Sequence, residues 1–186
     1  GCGQLFVTTR AAYERSGGHR AIRQTLHDGI RLPKLYRAAG LGTGMYDATD
    51  AATCRMYRSG CETWQGLSKN AGEGLGSPGG IVPWTVLLGG GHVVPWLVMF
   101  GGMVWAAVDG ADWSMTHQVS FGLVCGAALS GVGLRIGMAQ QFGQSLIGAL
   151  LHPVGVAMLL AIQWNALARR WTGRTSQWKG RAYAAP

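Results

Sequence analysis

The chain has 186 residues, with 16 Lys+Arg against 8 Asp+Glu, a formal charge of +8 and 48% hydrophobic residues. That length allows a single domain. A basic balance admits a nucleic-acid partner, but no basic run with interleaved aromatics of the kind that grips single strands is present; the cations flank apolar segments, which suits anionic lipid headgroups and points away from nucleic acid.

Two unlike halves lie behind the averages. Ten basic residues fall between Arg10 and Lys69. No Lys or Arg follows until Arg135, and the acids in that interval are Glu73, Asp109 and Asp112. Arg169, Arg170, Arg174, Lys179 and Arg181 close the chain. The four cysteines, Cys2, Cys54, Cys61 and Cys125, form no CxxC and no ligand-spaced Cys/His set, so they are expected to be reduced packing residues. The sequence opens on Gly1 inside what reads as folded chain, with no signal peptide, and a fragment lacking its N-terminal part is expected.

In chain order, Gln4–Thr9 is apolar and β-branched and predicts a strand. Arg10–Arg15 predicts one or two helical turns, stopped at Gly17-Gly18, and His19–Leu26 a short helix. Asp28 is placed to open a further helix, with Pro33 near its first turn and Gly40 just past its end. Leu41–Asp47 and Ala51–Cys54 predict extended pieces around a turn at Asp47–Asp50.

Arg55–Leu75 predicts an amphipathic helix, with Tyr57, Cys61, Trp64 and Leu67/Ser68 on one side. Such a helix either lies in the membrane interface or packs on its own domain. Ile81–Val108 is long enough for one span of about 20 residues, with Pro83, Pro95 and Gly89-Gly90-Gly91 available to kink or split it. Val119–Leu134 is a second apolar segment, whose Gly122, Gly126 and Ser130 sit four apart and favour close helix packing. Leu146–Ala166 is a third, and Trp113, Trp164 and Trp171 fit aromatic belts. Three full spans would leave the two basic regions on opposite sides; a re-entrant or two-helix hairpin folded at the triple glycine would keep both cytoplasmic, as the positive-inside rule requires. The expected organisation is a polar part over 1–54, an interfacial helix over 55–76, membrane segments within 77–168 (about 81–108, 118–136 and 146–167) and a basic cytoplasmic tail over 169–186 of an integral inner- or plasma-membrane protein.

Asp28 is the sharpest candidate for chemistry. A carboxylate at a helix N-terminus is stabilised by free N–H groups and the dipole, which suits either a carboxylate held in a fixed direction or a plain cap. His27 tunes an acidic neighbour or is an exposed polar residue. His92 and His152 lie in apolar segments and are either functional or neutral groups bonded to backbone near a proline break. Arg55 and Arg58, three apart on the predicted helix, suit bidentate phosphate binding or a solvated face. Lys69 could do the same less specifically, and Trp64 sits beside them as a substrate-side residue.

The stretch GCGQLFVTTRAAYERSGGHRAIRQTLHDGIRLPKLYRAAG resembles the acceptor-side half of family 2 glycosyltransferases of the GT-A fold. It carries an Arg-x-x-Tyr strand–helix junction, a Gly-Gly turn and an acidic pair position that opens a helix. RMYRSGCETWQGLSKN, LLHPVG and WKGRAY resemble segments of membrane-bound members that act on carotenoids, hopanoids or sphingolipids. The resemblance implies an α/β remnant, the acceptor-side half of a GT-A domain, followed by α-helical transmembrane segments. It implies an inverting transfer from a nucleotide sugar to a lipid-type acceptor, with Asp28 as base. It also implies a divalent metal, Mg or Mn, held by a nucleotide-binding half outside this chain, and inactivity of the fragment alone. Arg55 and Arg58 stand roughly where the family has Gln-x-x-Arg-Trp, and His27-Asp28 where it has Glu-Asp. Two rivals stand beside this reading: a processive polysaccharide synthase, and a non-enzymatic membrane scaffold with a degenerate transferase-like half.

Overall fold

The computed structural model describes residues 5–25, 28–71, 75–109, 113–172, 176–178 and 181–183. These residues are overwhelmingly helical, and the expected α/β remnant is corrected. Among the described residues the one ladder is a short antiparallel pair, β1 (Ser176–Trp178) and β2 (Arg181–Tyr183), with Gln177 opposite Ala182. The strand and extended pieces expected over Gln4–Thr9, Leu41–Asp47 and Ala51–Cys54 carry no regular structure at 5–9, 41–47 and 52–54 and belong to no ladder. Several of their apolar side chains stand in the open, Val7 at 86% and Tyr46 at 92% exposure. Local β-preference is a preference for a pleated surface, whereas a sheet needs distant partners for its N–H and C=O groups.

The polar part gathers around a small core. α1 (Arg10–Arg15) starts at Thr9, whose hydroxyl accepts from the Ala12 N–H at 3.3 Å. It ends at Gly17 and Gly18, both with positive φ (79° and 52°). The Tyr13 ring lies against Gly18 where a Cβ would stand, so a side chain there is barred by space as well as by backbone. The Tyr13 hydroxyl accepts from the His19 N–H at 3.0 Å and lies 2.9 Å from His19 Nδ1, which ties α1 to α2 (Gly18–Ala21). Asp28 opens α3 (Asp28–Ala38). Gly40, at φ 71°, closes it while the Leu41 N–H reaches back to the Tyr36 carbonyl at 2.9 Å, a Schellman-type end. Ile22, Leu32 and Tyr36 are buried together, backed by Ala12, Leu35 and Leu41. Phe6 meets Tyr36 edge-on at 5.3 Å, and the Tyr36 hydroxyl donates to Thr8 Oγ1 at 3.0 Å. These contacts hold the extended segment 5–9 on α3.

α4 runs over Gly60–Asn70 and not from Arg55. Ser59 caps it by accepting from the Glu62 N–H at 3.2 Å, and the Glu62 carboxylate accepts from the Arg58 N–H at 2.8 Å. This is close to a capping box. Arg55 and Arg58 therefore precede the helix, and the expectation that they share one helix face is corrected. α4 packs on α10 (His152–Trp171), and Trp64 is half-buried. The Tyr57 ring covers Gly66, leaving no room for a Cβ.

In the apolar half, α5 (Ile81–Trp84) runs into a π-helical turn (Thr85–Gly89), then α6 (Gly90–His92) and α7 (Val94–Asp109). The two halves of this stretch, Ile81–His92 and Val94–Val108, meet at 44°, a bend just past the triple glycine that suits a broken span or a re-entrant loop. α8 (Met115–Gln141) packs antiparallel to α7: Gly102 lies against Phe121, and Trp105 against His117. α9 (Leu146–Leu150) folds back on α8.

α8 is long and apolar enough to cross a membrane, and the bent stretch Ile81–Val108 passes the same test if it is one span. Only 11% of the most apolar window of α8 is buried inside the chain, so its apolar side chains face the surroundings, unlike those of a soluble core helix. α10 is not among such helices; Gln163, Asn165, Arg169 and Arg170 dilute it. The three expected membrane segments thus reduce to one such helix, or two. The small residues Gly122, Gly126 and Ser130 are exposed rather than packed. Ala128, Val132 and Ala139 make the buried stripe of α8 instead.

Candidate functional site

Asp28 is exposed in the first turn of α3, and its Oδ1 accepts from the Gly29 N–H at 2.8 Å. Behind it, Gly29 is buried and α3 is fixed through Leu32 and Tyr36. The carboxylate is thus mounted on the ordered end of a packed helix with its outer face free to solvent. That arrangement lets it accept a proton from a hydroxyl brought to it. His27 lies outside the described residues.

Arg55 and Arg58 are exposed on the extended approach to α4. Trp64 sits one turn into α4, and the Lys69 side chain lies outside the described residues. Among the described residues no hydrogen bond or ion pair links Asp28 to Arg55, Arg58 or Trp64. Asp28 belongs to the α1–α3 cluster, Trp64 to α4, which packs on α10, and Arg55 and Arg58 to the segment before α4. The structure therefore provides a mounted carboxylate and a separate exposed pair of guanidinium groups.

Among the described residues no three His, Cys, Asp or Glu side chains gather as a metal site. The resemblance places its divalent ion in a half outside this chain, so these residues are not its expected ligands.

Sequence reasoning missed an apolar cleft of about 400 Å³ between α7 and α8, walled by Gly102, Trp105, Trp113, His117 and Phe121. Trp113 meets Phe121 edge-on at 4.8 Å and Trp105 at 5.9 Å. The Trp113 indole N–H is buried with no partner among the described residues. The aromatic spacing across the Asp109–Met115 connection was visible, but its convergence depends on the antiparallel register of the two helices. The α4 cap was also legible as Ser59-x-x-Glu62, a pattern that marks a helix start four residues after Arg55. No protein-family model matches this chain, and neither a curated protein nor a solved structure does.

Proposed function

We propose that this chain is the membrane-associated part of an inverting glycosyltransferase, which moves a sugar from a nucleotide-sugar donor to a lipid-type acceptor with Asp28 as the base. The observation that carries this reading is Asp28 itself: an exposed carboxylate at the first turn of a packed helix, in a chain whose other half turns apolar helices outward. In the reaction the acceptor hydroxyl gives its proton to Asp28 as its oxygen bonds to the anomeric carbon and the bond to the diphosphate breaks. The exposed Arg55 and Arg58 are suited to hold the departing phosphates.

The membrane arrangement that goes with this reading has two passes. The bent stretch Ile81–Val108 crosses once and α8 crosses back, while α10 stays on the entry side against α4. Two passes leave the region of Arg10–Lys69 and that of Arg169–Arg181 on the same, cytoplasmic, face, which removes the conflict that three spans would create. Asp28 then lies on the side from which a lipid acceptor and a soluble donor can both approach.

The test is Asp28→Asn in the full-length protein, with radiolabelled donor and membrane lipid extract as acceptor. Transfer falls at least about a hundredfold, in line with the loss of a general base, while donor binding is retained. Turnover at the parent rate would remove Asp28 as base. Donor binding without any turnover in the parent protein would favour a scaffold.

A further inference from the structure

We propose that His92, Arg135 and His152 form a phosphate-binding site at the bilayer surface, taking the phosphate of an anionic lipid headgroup or of a soluble phosphate ester. The inference rests on the membrane placement of α8 and not on the role of Asp28.

Three elements contribute. His92 ends α6, Arg135 lies near the C-terminal end of α8, and His152 opens α10. The two imidazoles meet edge-on with centroids 5.0 Å apart and planes at 80°. Arg135 is half-buried beside them. Its Nη1 donates to the Met138 sulfur at 3.9 Å and its Nη2 to the Gln144 carbonyl oxygen at 3.4 Å, both long. Its Nε is buried with no partner among the described residues.

A half-buried guanidinium is ordinarily met by a carboxylate. Among the described residues the ion pair is Arg10–Glu14, far along the chain in α1, and no acid faces Arg135. Three basic side chains thus converge, with no ion pair to an acid among the described residues. Their field also acts on His152, whose pKa is held below its usual value by burial first, then by Arg135 and His92. An anion in this place would supply acceptor oxygens for the idle Arg135 donors and for imidazole N–H groups. A tetrahedral phosphate, with several charged oxygens, suits a planar guanidinium flanked by two rings.

Depth points to the same chemistry. Arg135 directly follows the apolar run Val119–Leu134. Those residues rise about 24 Å, close to the roughly 30 Å of a hydrocarbon core. Arg135 therefore stands at the edge of the apolar run, from which its long side chain can reach toward lipid phosphates, at the end of α8 where α6, α9 and α10 meet. A lone snorkelling arginine would need only water there; here two histidines from separate elements stand beside it.

The test uses the purified chain in a neutral detergent, with thermal unfolding followed by tryptophan fluorescence. Three probes are titrated: dioctanoyl phosphatidic acid, inorganic phosphate and dioctanoylglycerol. The expected result is a saturable rise in midpoint with phosphatidic acid and none with dioctanoylglycerol, and about tenfold weaker binding for Arg135→Gln. Equal affinity for inorganic phosphate assigns the site to soluble phosphate; a preference for phosphatidic acid assigns it to lipid. The His92→Gln/His152→Gln variant, which keeps the charge of Arg135, covers the case in which Arg135→Gln fails to fold, and it also binds more weakly. No response of the parent chain to either phosphate, or parent-like affinity in the variants, overturns the site. Sugar transfer enters none of these measurements, so the two proposals fail separately.

Discussion

Adding one methyl group at each of two adjacent glycines tests the α7–α8 pairing. Gly101 has nothing within 4 Å of a Cβ built on it. At Gly102 that Cβ would lie 2.7 Å from Phe121 Cε2 and 3.1 Å from Cδ2. Ordinary carbon contacts are about 3.5–4.0 Å, so the ring must retreat by about 1 Å. It has little freedom to do so, because it stands edge-on to Trp113 at 4.8 Å and Trp113 stands against Trp105 at 5.9 Å. Losing the edge-to-face geometry costs about 0.5–1.5 kcal/mol, and overpacking of this kind about 1–3 kcal/mol in all. Replacing glycine by alanine in a helix gains up to about 1 kcal/mol, but that gain is common to both sites and cancels in the comparison. Gly102→Ala should thus be about 1–3 kcal/mol less stable than Gly101→Ala. Unfolding in mixed micelles of rising SDS fraction, followed by the tryptophan fluorescence of the pair itself, measures the difference. In a Phe121→Leu background the difference should shrink, since the ring that blocks the methyl group is gone. Coincident midpoints for the two alanine variants would refute the register in which Gly102 faces Phe121.

Three further outcomes are expected. Ser59→Ala removes the cap of α4 and weakens its first turn by about 1 kcal/mol, which speeds amide exchange there about fivefold; unchanged protection would show that the cap does not matter. Cysteines introduced at Ala51 and at Thr172, in an otherwise cysteine-free chain, should both resist a membrane-impermeant maleimide in intact cells and both react after permeabilisation; opposite behaviour of the two would exclude two passes. The third concerns pH. Burial, with help from Arg135 and His92, lowers the His152 pKa from 6.5, so on acidification the unfolded chain takes up this proton before the folded one does. Stability should fall as pH drops below about 6.5 and level off once pH is under the folded value. His152→Gln should flatten that slope, and an unaltered slope in pH-resolved unfolding would remove His152 as its source.

Local signals in the sequence were readable where a few neighbouring residues decide the outcome. Asp28 at the start of α3 and Gly40 with positive φ at its end are such cases, since capping needs only a side chain and one turn of backbone. The α4 start was misplaced because Tyr57 continues the apolar spacing of Trp64, while in the structure its ring folds back over Gly66 from outside the helix. The strands failed for a non-local reason: Leu5–Thr9 has the composition of a strand, yet Phe6 and Thr8 attach it to Tyr36 of a helix. The Gly122–Gly126–Ser130 spacing is a local pattern that says nothing of which face meets α7; larger residues, Phe121 and Val124, line that contact. Of the candidate site, the mounting of Asp28 was legible, whereas the gathering of His92, Arg135 and His152 joins residues far apart in the chain and follows only from the helix arrangement.

The π-helical turn over Thr85–Gly89 sets the phase of everything after it. It holds one residue more than an α-helical path would, and each residue of an α-helix turns the chain by about 100°. Trp164 of α10 locks the turn from outside by donating its indole N–H to Thr85 Oγ1 at 3.0 Å, while the same hydroxyl donates to the Ile81 carbonyl at 2.7 Å. If that lock were released with every residue kept, the stretch would relax to a plain α-helix and pass the surplus residue on as a rotation. His92 would then point about 100° away from its present bearing and lose its place opposite His152. The wide turn acts as an angular spacer: one residue of slack, pinned by one tryptophan, decides which side of the bent helix faces the rest of the chain.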